Sequence, residues 1–166
     1  LHQSWLESRD EWGVGVHQAG SGLWRAGELD VDTPEGFGAW LELLRRESDP
    51  TVPPEPGMVP ATYWWIVEGD CYLGAITLRH SLNDFLLQEG GHIGYGIRPS
   101  ARGRGLASWA LGEVLGEARR RGLTRVLLTC DDDNVASART IERHGGDLED
   151  VRQTPAGLKR RYWIDL

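Results

Sequence analysis

Residues 90 to 130, GGHIGYGIRPSARGRGLASWALGEVLGEARRRGLTRVLLTC, constrain the fold more than any other stretch, because they read as strand, glycine-rich turn, helix and strand in succession. In the first strand, Ile93, Tyr95 and Ile97 alternate with His92, Gly94 and Gly96, which gives one apolar face and one face nearly bare beside His92. From 102 to 121, Leu106, Ala107, Ala110, Leu111, Val114, Leu115 and Ala118 recur at helical spacing, and Gly122 ends the run. TRVLLTC is then a short continuous apolar strand of the kind found at the centre of a sheet. A helical crossover joins parallel neighbours, so this unit commits the chain to an α/β fold with a central parallel pair.

The flanks fit around that unit. A helix is expected near 2 to 12, and another after DTPEGF, with Thr33 as cap, Pro34 as first residue and Phe37, Trp40, Leu41 and Leu44 on one face. DPTVPPEPGMVP holds five of the eight prolines and reads as an extended loop. TYWWIVE and CYLGAITLRH form a hairpin around Gly69-Asp70. Asn134 caps a helix reaching about His144, and DLEDVRQ with LKRRYWIDL forms a closing hairpin around the Pro155 to Gly157 turn. The expected organisation is a single domain over 1–166: a helical part and proline-rich loop to residue 60, a core over 61–146, and the hairpin over 147–166. The chain begins at Leu1 rather than Met, as after removal of an N-terminal portion.

The net charge of −7 disfavours a nucleic-acid partner, although a solvated acidic surface accounts for it equally well. No run approaches the roughly 18 apolar residues of a membrane span, so no membrane partner is expected. Cys71 and Cys130 form neither a disulfide framework nor a metal-ligand pattern, which points to a cytoplasmic protein with no metal.

Against this acidic background, Arg98, Arg102 and Arg104 cluster where a helix begins. A helix N-terminus already carries about half a positive charge, so the cluster calls for an anion. Gly103 and Gly105 allow close backbone approach, and first-turn N–H groups without helical acceptors can meet phosphate oxygens. A plain glycine-rich turn with solvated arginines is the bland alternative.

This stretch resembles the acyl-CoA pyrophosphate motif R/Q-x-x-G-x-G/A of the GCN5-related N-acetyltransferase (GNAT) superfamily, through Arg102, Gly105 and Ala107. HIGYGIRP is similar to the superfamily's fourth strand and NVASARTIERHGG to its Asn-led helix, so the likeness covers about 62 to 146. More narrowly, LRHSLNDFLLQEGGHIGYGIRPSARGRG with TCDDDN and RRYWI resembles a branch of acetyltransferases. The resemblance implies a mixed sheet whose fourth and fifth strands, about 91–97 and 125–131, splay apart to admit pantetheine. It implies acetyl-CoA as acyl donor, held by the backbone of Ile97 and Arg98, by the loop Arg102, Gly103, Arg104, Gly105, Leu106 and Ala107, and by Asn134 with Ser137. The implied reaction is direct attack by a primary amine of a small molecule or a protein, without a metal, and a homodimer is an assembly the resemblance allows.

Family members carry Glu where His92 stands, which makes His92 the expected general base, with Glu89 as rival. Gly94 and Gly96 are expected to leave a groove beside it for acceptor and thioester. Arg79, His80, Asn83 and Asp131 are candidate acceptor contacts. The family's usual proton-donating Tyr falls at Ile141, which cannot donate; Ser137 or water is left for that role. Cys130 reads as a buried hydrophobe rather than a nucleophile. Two other readings stand beside this one. A non-catalytic acyl-CoA binding domain would keep the loop alone. A dinucleotide-binding fold would use Gly103-x-Gly105-x-x-Ser108 with Asp131, but its third glycine is missing and the chain closes in a hairpin.

Overall fold

A computed structural model describes residues 1–13 and 15–166. The helices are α1 (His2–Trp12), α2 (Pro34–Ser48), α3 (Leu106–Arg120) and α4 (Val135–Arg143). The strands are β1 (Ala61–Glu68), β2 (Cys71–Arg79), β3 (Ile93–Ile97), β4 (Arg125–Asp131), β5 (Asp147–Thr154) and β6 (Gly157–Asp165). They form one six-stranded sheet in the order β1-β2-β3-β4-β6-β5. Only β3 and β4 pair in parallel among the described residues, with α3 as their crossover. A doubly wound sheet needs several parallel neighbours, so this order removes the dinucleotide-binding reading.

Local chemistry sets the element ends. The Thr33 hydroxyl accepts from the Gly36 N–H and Pro34 opens α2, as expected. Asn134 caps α4 through the Ser137 N–H at 3.1 Å. α3 begins at Leu106 rather than 102, because Gly103 and Gly105 sit at φ 77° and 78°, left-handed backbone that cannot continue a helix. β3 begins at Ile93 because Gly91, at φ 63°, turns the chain out of a helical turn over Leu86–Gly90.

The sheet is covered on both faces. On one, α3 and α4 bury Leu111, Val114, Leu115 and Ile141 against Ile76, Leu78, Ile93, Val126, Leu128, Tyr162 and Ile164. On the other, α1 and α2 set Trp5, Phe37 and Trp40 against Tyr72 and Ala75. The Trp5 and Trp40 rings lie 5.1 Å apart and Trp40 Nε1 donates to the Gly22 carbonyl at 3.1 Å, so this aromatic cluster also anchors the segment between the two helices.

That segment overturns one expectation. The bare face of β3 is not an open groove, because the chain's own backbone lies on it. A Cβ on Gly96 would stand 2.7 Å from the Ala19 carbonyl oxygen, and one on Gly20 would stand 2.8 Å from that of Ala75. Thr77 Oγ1 donates to the Gly20 carbonyl at 2.6 Å and fixes the crossing. The glycines of β3 therefore admit a strap of main chain. Gly94 is less confined: its nearest neighbour would be the Gly20 nitrogen at 3.4 Å, an ordinary contact. Gly96→Ala should thus cost roughly 1–3 kcal/mol of stability by overpacking, and Gly94→Ala on the same strand face clearly less. Urea unfolding of both variants checks the order, and equal losses would mean the strap is not seated there.

Candidate functional site

β3 and β4 share a single register pair, Ile93 with Leu128, and then part. β2 takes the backbone groups of alternate β3 residues, from His92 O, which accepts from Arg79 N, to Arg98 N, which donates to Leu73 O. The alternation turns the N–H and C=O of Tyr95 and Ile97 toward the gap. It also corrects one expectation, since the Arg98 N–H is spent on β2 and cannot meet a ligand in the gap. The Ile97 carbonyl presently accepts from Arg102 Nε at 3.2 Å.

His92 closes the root of the gap and does not face into it. The residue is 6% exposed. Its Nδ1 accepts from the Leu127 N–H at 2.9 Å, while the backbone N–H of His92 donates to the Leu127 carbonyl at 2.6 Å. Burial, reinforced by the cations of Arg79 and Arg125, pushes its pKa down to about 4. Neutral and already accepting a hydrogen bond, this imidazole is a clip between strands. The expectation of His92 as base does not fit that geometry.

The three arginines at the start of α3 have found carboxylates or a ring. Arg98 lies 2.7 Å from Glu11 and 3.6 Å from Glu7, both on α1, and its side chain is 15% exposed. Arg104 meets Glu68 at 2.7 Å with both groups well exposed, and Arg102 lies over Trp12 at 4.6 Å. The helix start itself stays open. Gly105 supplies no side-chain cap, no acidic residue lies in the first turn, and the space beside Gly103 and Gly105 is clear. The N–H groups of Leu106, Ala107 and Ser108 are therefore available, and the residues present fit a pyrophosphate.

A cleft of about 210 Å³ opens at the gap, with Glu89, Arg79, Tyr95, Cys130, Asp131, Asn134 and Ser137 among its walls. Glu89 is half-buried there and forms no ion pair among the described residues. Its turn is held by side chains from four places. The Leu86 N–H donates to Asn83 Oδ1 at 2.8 Å, and Arg161 Nε donates to the Leu87 carbonyl at 3.1 Å. Thr129 Oγ1 donates to the Glu89 carbonyl. Arg79 Nη1 donates to the carbonyls of Gly90 and Gly91 at 3.0 and 3.1 Å. Asn83 thus supports the turn and is no cleft contact. His80 also lies elsewhere, 2.9 Å from Thr62 Oγ1 and 3.2 Å from Arg121 Nη1. Asp131 does line the cleft, paired with Lys159.

Sequence reading missed two cleft residues. Tyr95 counted as a core position by alternation, yet its hydroxyl stands 2.8 Å from Ser137 Oγ beside the gap, with its pKa pushed up to about 12 by burial. The strand pattern gives no signal for this, because a tyrosine packs its ring and leaves only its tip wet. His17 comes in on the strap, where burial and the charges of Arg79 and Lys159 lower its pKa. Cys130 is raised to about 11 by burial and is no thiolate, in line with its reading as a hydrophobe.

The profile of the acetyltransferase (GNAT) domain family matches residues 24–147. A mycothiol acetyltransferase of Geodermatophilus obscurus is 34% identical over 112 residues, 65% of this chain, which spans only 34% of that relative's length. An N-acetyltransferase from Staphylococcus aureus Mu50 superposes with a TM-score of 0.64 at 19% identity, over 98% of this chain and 91% of its own. The yncA protein of Salmonella typhimurium, solved with its cofactor acetyl-CoA, superposes at 0.59 with 16% identity, over 99% and 88%. At these identities the structural likeness is one of fold.

The clip has a measurable signature. An unfolded histidine titrates near 6.5 and the folded one near 4. Between these values the unfolded chain holds a proton that the folded chain refuses, so stability is full above about pH 6.5 and falls as pH drops toward 4, by about 3 kcal/mol at the limit. His92→Asn should be less stable at pH 7.5 and lose less on going to pH 5 than the parent. Identical pH slopes in urea titrations would contradict a buried neutral His92.

Proposed function

The chain belongs to the GNAT acetyltransferase family, and from that premise we propose that it moves an acetyl group from acetyl-CoA to a primary amine by direct attack, with Glu89 as general base. The observation that carries this reading is the parting of β3 and β4 beside an uncapped, acid-free helix start. Acetyl-CoA supplies the acetyl group as a thioester. The N–H groups of Leu106, Ala107 and Ser108, with the turn Gly103–Gly105, would hold its pyrophosphate, and the gap-facing backbone of Tyr95 and Ile97 with the Asn134 amide its pantetheine arm.

Magnitudes sort the arginines. An exposed pair such as Arg104 with Glu68 is worth about 0–1 kcal/mol, so Arg104 can turn to a phosphate at little cost. Arg102, free of any carboxylate among the described residues, can do the same. Arg98 is withdrawn among α1 carboxylates and serves to dock that helix.

At neutral pH the acceptor arrives largely as an ammonium, whose lone pair is engaged. Glu89 takes one proton from it and leaves the nitrogen able to form its bond to the acetyl carbon as the carbon–sulfur bond breaks; the second proton, acidified once the nitrogen is acylated, leaves to water, and the sulfur departs as thiolate. Asp131 is already engaged in an ion pair with Lys159, whereas Glu89 forms none among the described residues. With a pKa near 12 the Tyr95 phenol keeps its proton, so it steadies the departing sulfur by a hydrogen bond and need not protonate it. This role replaces the donor missing at Ile141, whose side chain is buried in the core.

Glu89→Gln should lower kcat by roughly 100-fold or more with acetyl-CoA affinity nearly unchanged. Stopped-flow thiol release with calorimetry measures both, and near-parental turnover would move the base to His17 or Asp131. A second test concerns the hydroxyl pair. A hydrogen bond to a developing charge is worth about 1.5–3 kcal/mol, so Tyr95→Phe should cost roughly 10- to 100-fold in kcat. Ser137→Ala should cost little, and the reverse order would make Ser137 the group that meets the sulfur.

A further inference from the structure

Among the described residues, every strongly withdrawn arginine except one has a carboxylate beside it. Arg161, 2% exposed, sits 2.6 Å from Glu149 and 3.0 Å from Asp150. Arg25, with a side chain 13% exposed, lies between Glu47 and Glu55. Arg79 is the exception. Burial lowers its pKa, and no carboxylate pairs with it among the described residues. Its Nη1 is spent on the carbonyls of Gly90 and Gly91, while Nη2 and Nε have no protein acceptor there. A guanidinium carries five N–H donors in a planar fork, and a desolvated cation without an anion is costly. The group lies on a wall of the cleft, its nitrogens 3.7 and 3.8 Å from where a Gly94 Cβ would stand, so that glycine keeps it uncovered.

The same cleft holds the complementary defect. Glu89 has no cation among the described residues, and Arg79 is pinned instead to the main chain of the turn that carries Glu89. A site with one unpaired carboxylate and one unpaired guanidinium is complementary to a small molecule bearing both an ammonium and a carboxylate. At about 210 Å³ the cleft is smaller than the roughly 300–1,000 Å³ of a drug-sized pocket, which suits a small acceptor.

We propose that the acetyl acceptor is a free amino acid, its carboxylate bound by the open edge of the Arg79 guanidinium and its ammonium delivered to Glu89. This rests on the acetyl-transfer reading above, and the test keeps the two apart. Wild-type protein with acetyl-CoA is presented with the twenty L-amino acids, each beside its primary amide, and thiol release is followed. For the preferred residue the acid should exceed the amide in kcat/KM by at least about 10-fold, the lower end for a charge-assisted contact. In Arg79→Gln that ratio should collapse toward one, and Arg79→Lys should recover part of it. Equal use of acid and amide by the wild type would overturn the proposal while leaving acetyl transfer intact, and needs no variant to fold. If neither is acetylated, acetyl transfer to amino acids fails, and calorimetry of the wild type with the same pairs decides on Arg79. Selective binding of acids supports the carboxylate site; binding of neither, or of both alike, overturns it.

Discussion

The hydrogen bond from the Leu127 N–H to His92 Nδ1 is the contact on which the rest of the site depends. Parallel strands joined by a helix would ordinarily run on as neighbours, each amide finding the next carbonyl. Here an imidazole takes the place of a carbonyl at the root of the pair, just before the one register pair of Ile93 with Leu128. A buried N–H must be satisfied, and only a neutral ring can accept from it. That requirement keeps His92 uncharged and out of the chemistry, and it lets β3 and β4 diverge above without leaving an orphaned donor at their junction. The gap that follows exposes main-chain groups of Tyr95 and Ile97, which a ligand with amides of its own can satisfy.

The turn that carries Glu89 shows the same economy with polar groups. Its carbonyls are received by Arg161, Thr129 and Arg79, from three different strands, and Asn83 takes its first N–H. None of these residues needs to touch a substrate for the carboxylate to stand at the cleft. A side chain whose backbone is fixed from several directions loses little further entropy when it is used, which is the sense in which such a site is preorganised.

How much of this the chain displays in one dimension depends on the range of the interaction. The elements were legible wherever a short-range rule governs them: the Thr33 cap, the Asn134 cap, the hairpin at Gly69-Asp70, the helical spacing of α3, and the glycines that form the turn before it. Alternation also placed Ile93 and Gly94 on opposite faces. What it could not disclose is what lies on a face. Gly94 and Gly96 read as a groove, but the strap around Ala19 and Gly20, some seventy-five residues earlier, fills most of it. His92 read as a base for the same reason: a histidine beside glycines is open to solvent unless a strand distant in sequence closes over it. Arg98 was grouped with Arg102 and Arg104 by proximity alone, whereas α1 had already claimed it.

The puzzle of arginines gathered at a helix start in an acidic chain resolves by sorting ion pairs by depth. Withdrawn pairs such as Arg98 with Glu11, and Arg161 with Glu149 and Asp150, are costly to break, because separation strands a desolvated charge. Exposed pairs such as Arg104 with Glu68 cost almost nothing to exchange. The first class fixes where helices and turns sit; the second leaves cations at the surface ready for another anion. The excess of acid that gives the chain its charge of −7 is what makes this arrangement workable. Arg98 and Arg104 are neutralised by the chain's own carboxylates and Arg102 rests on the Trp12 ring, so the helix start tolerates the cations it needs. Arg79 belongs to neither class: it has depth without a carboxylate among the described residues, and its one nitrogen in use holds the turn that carries Glu89.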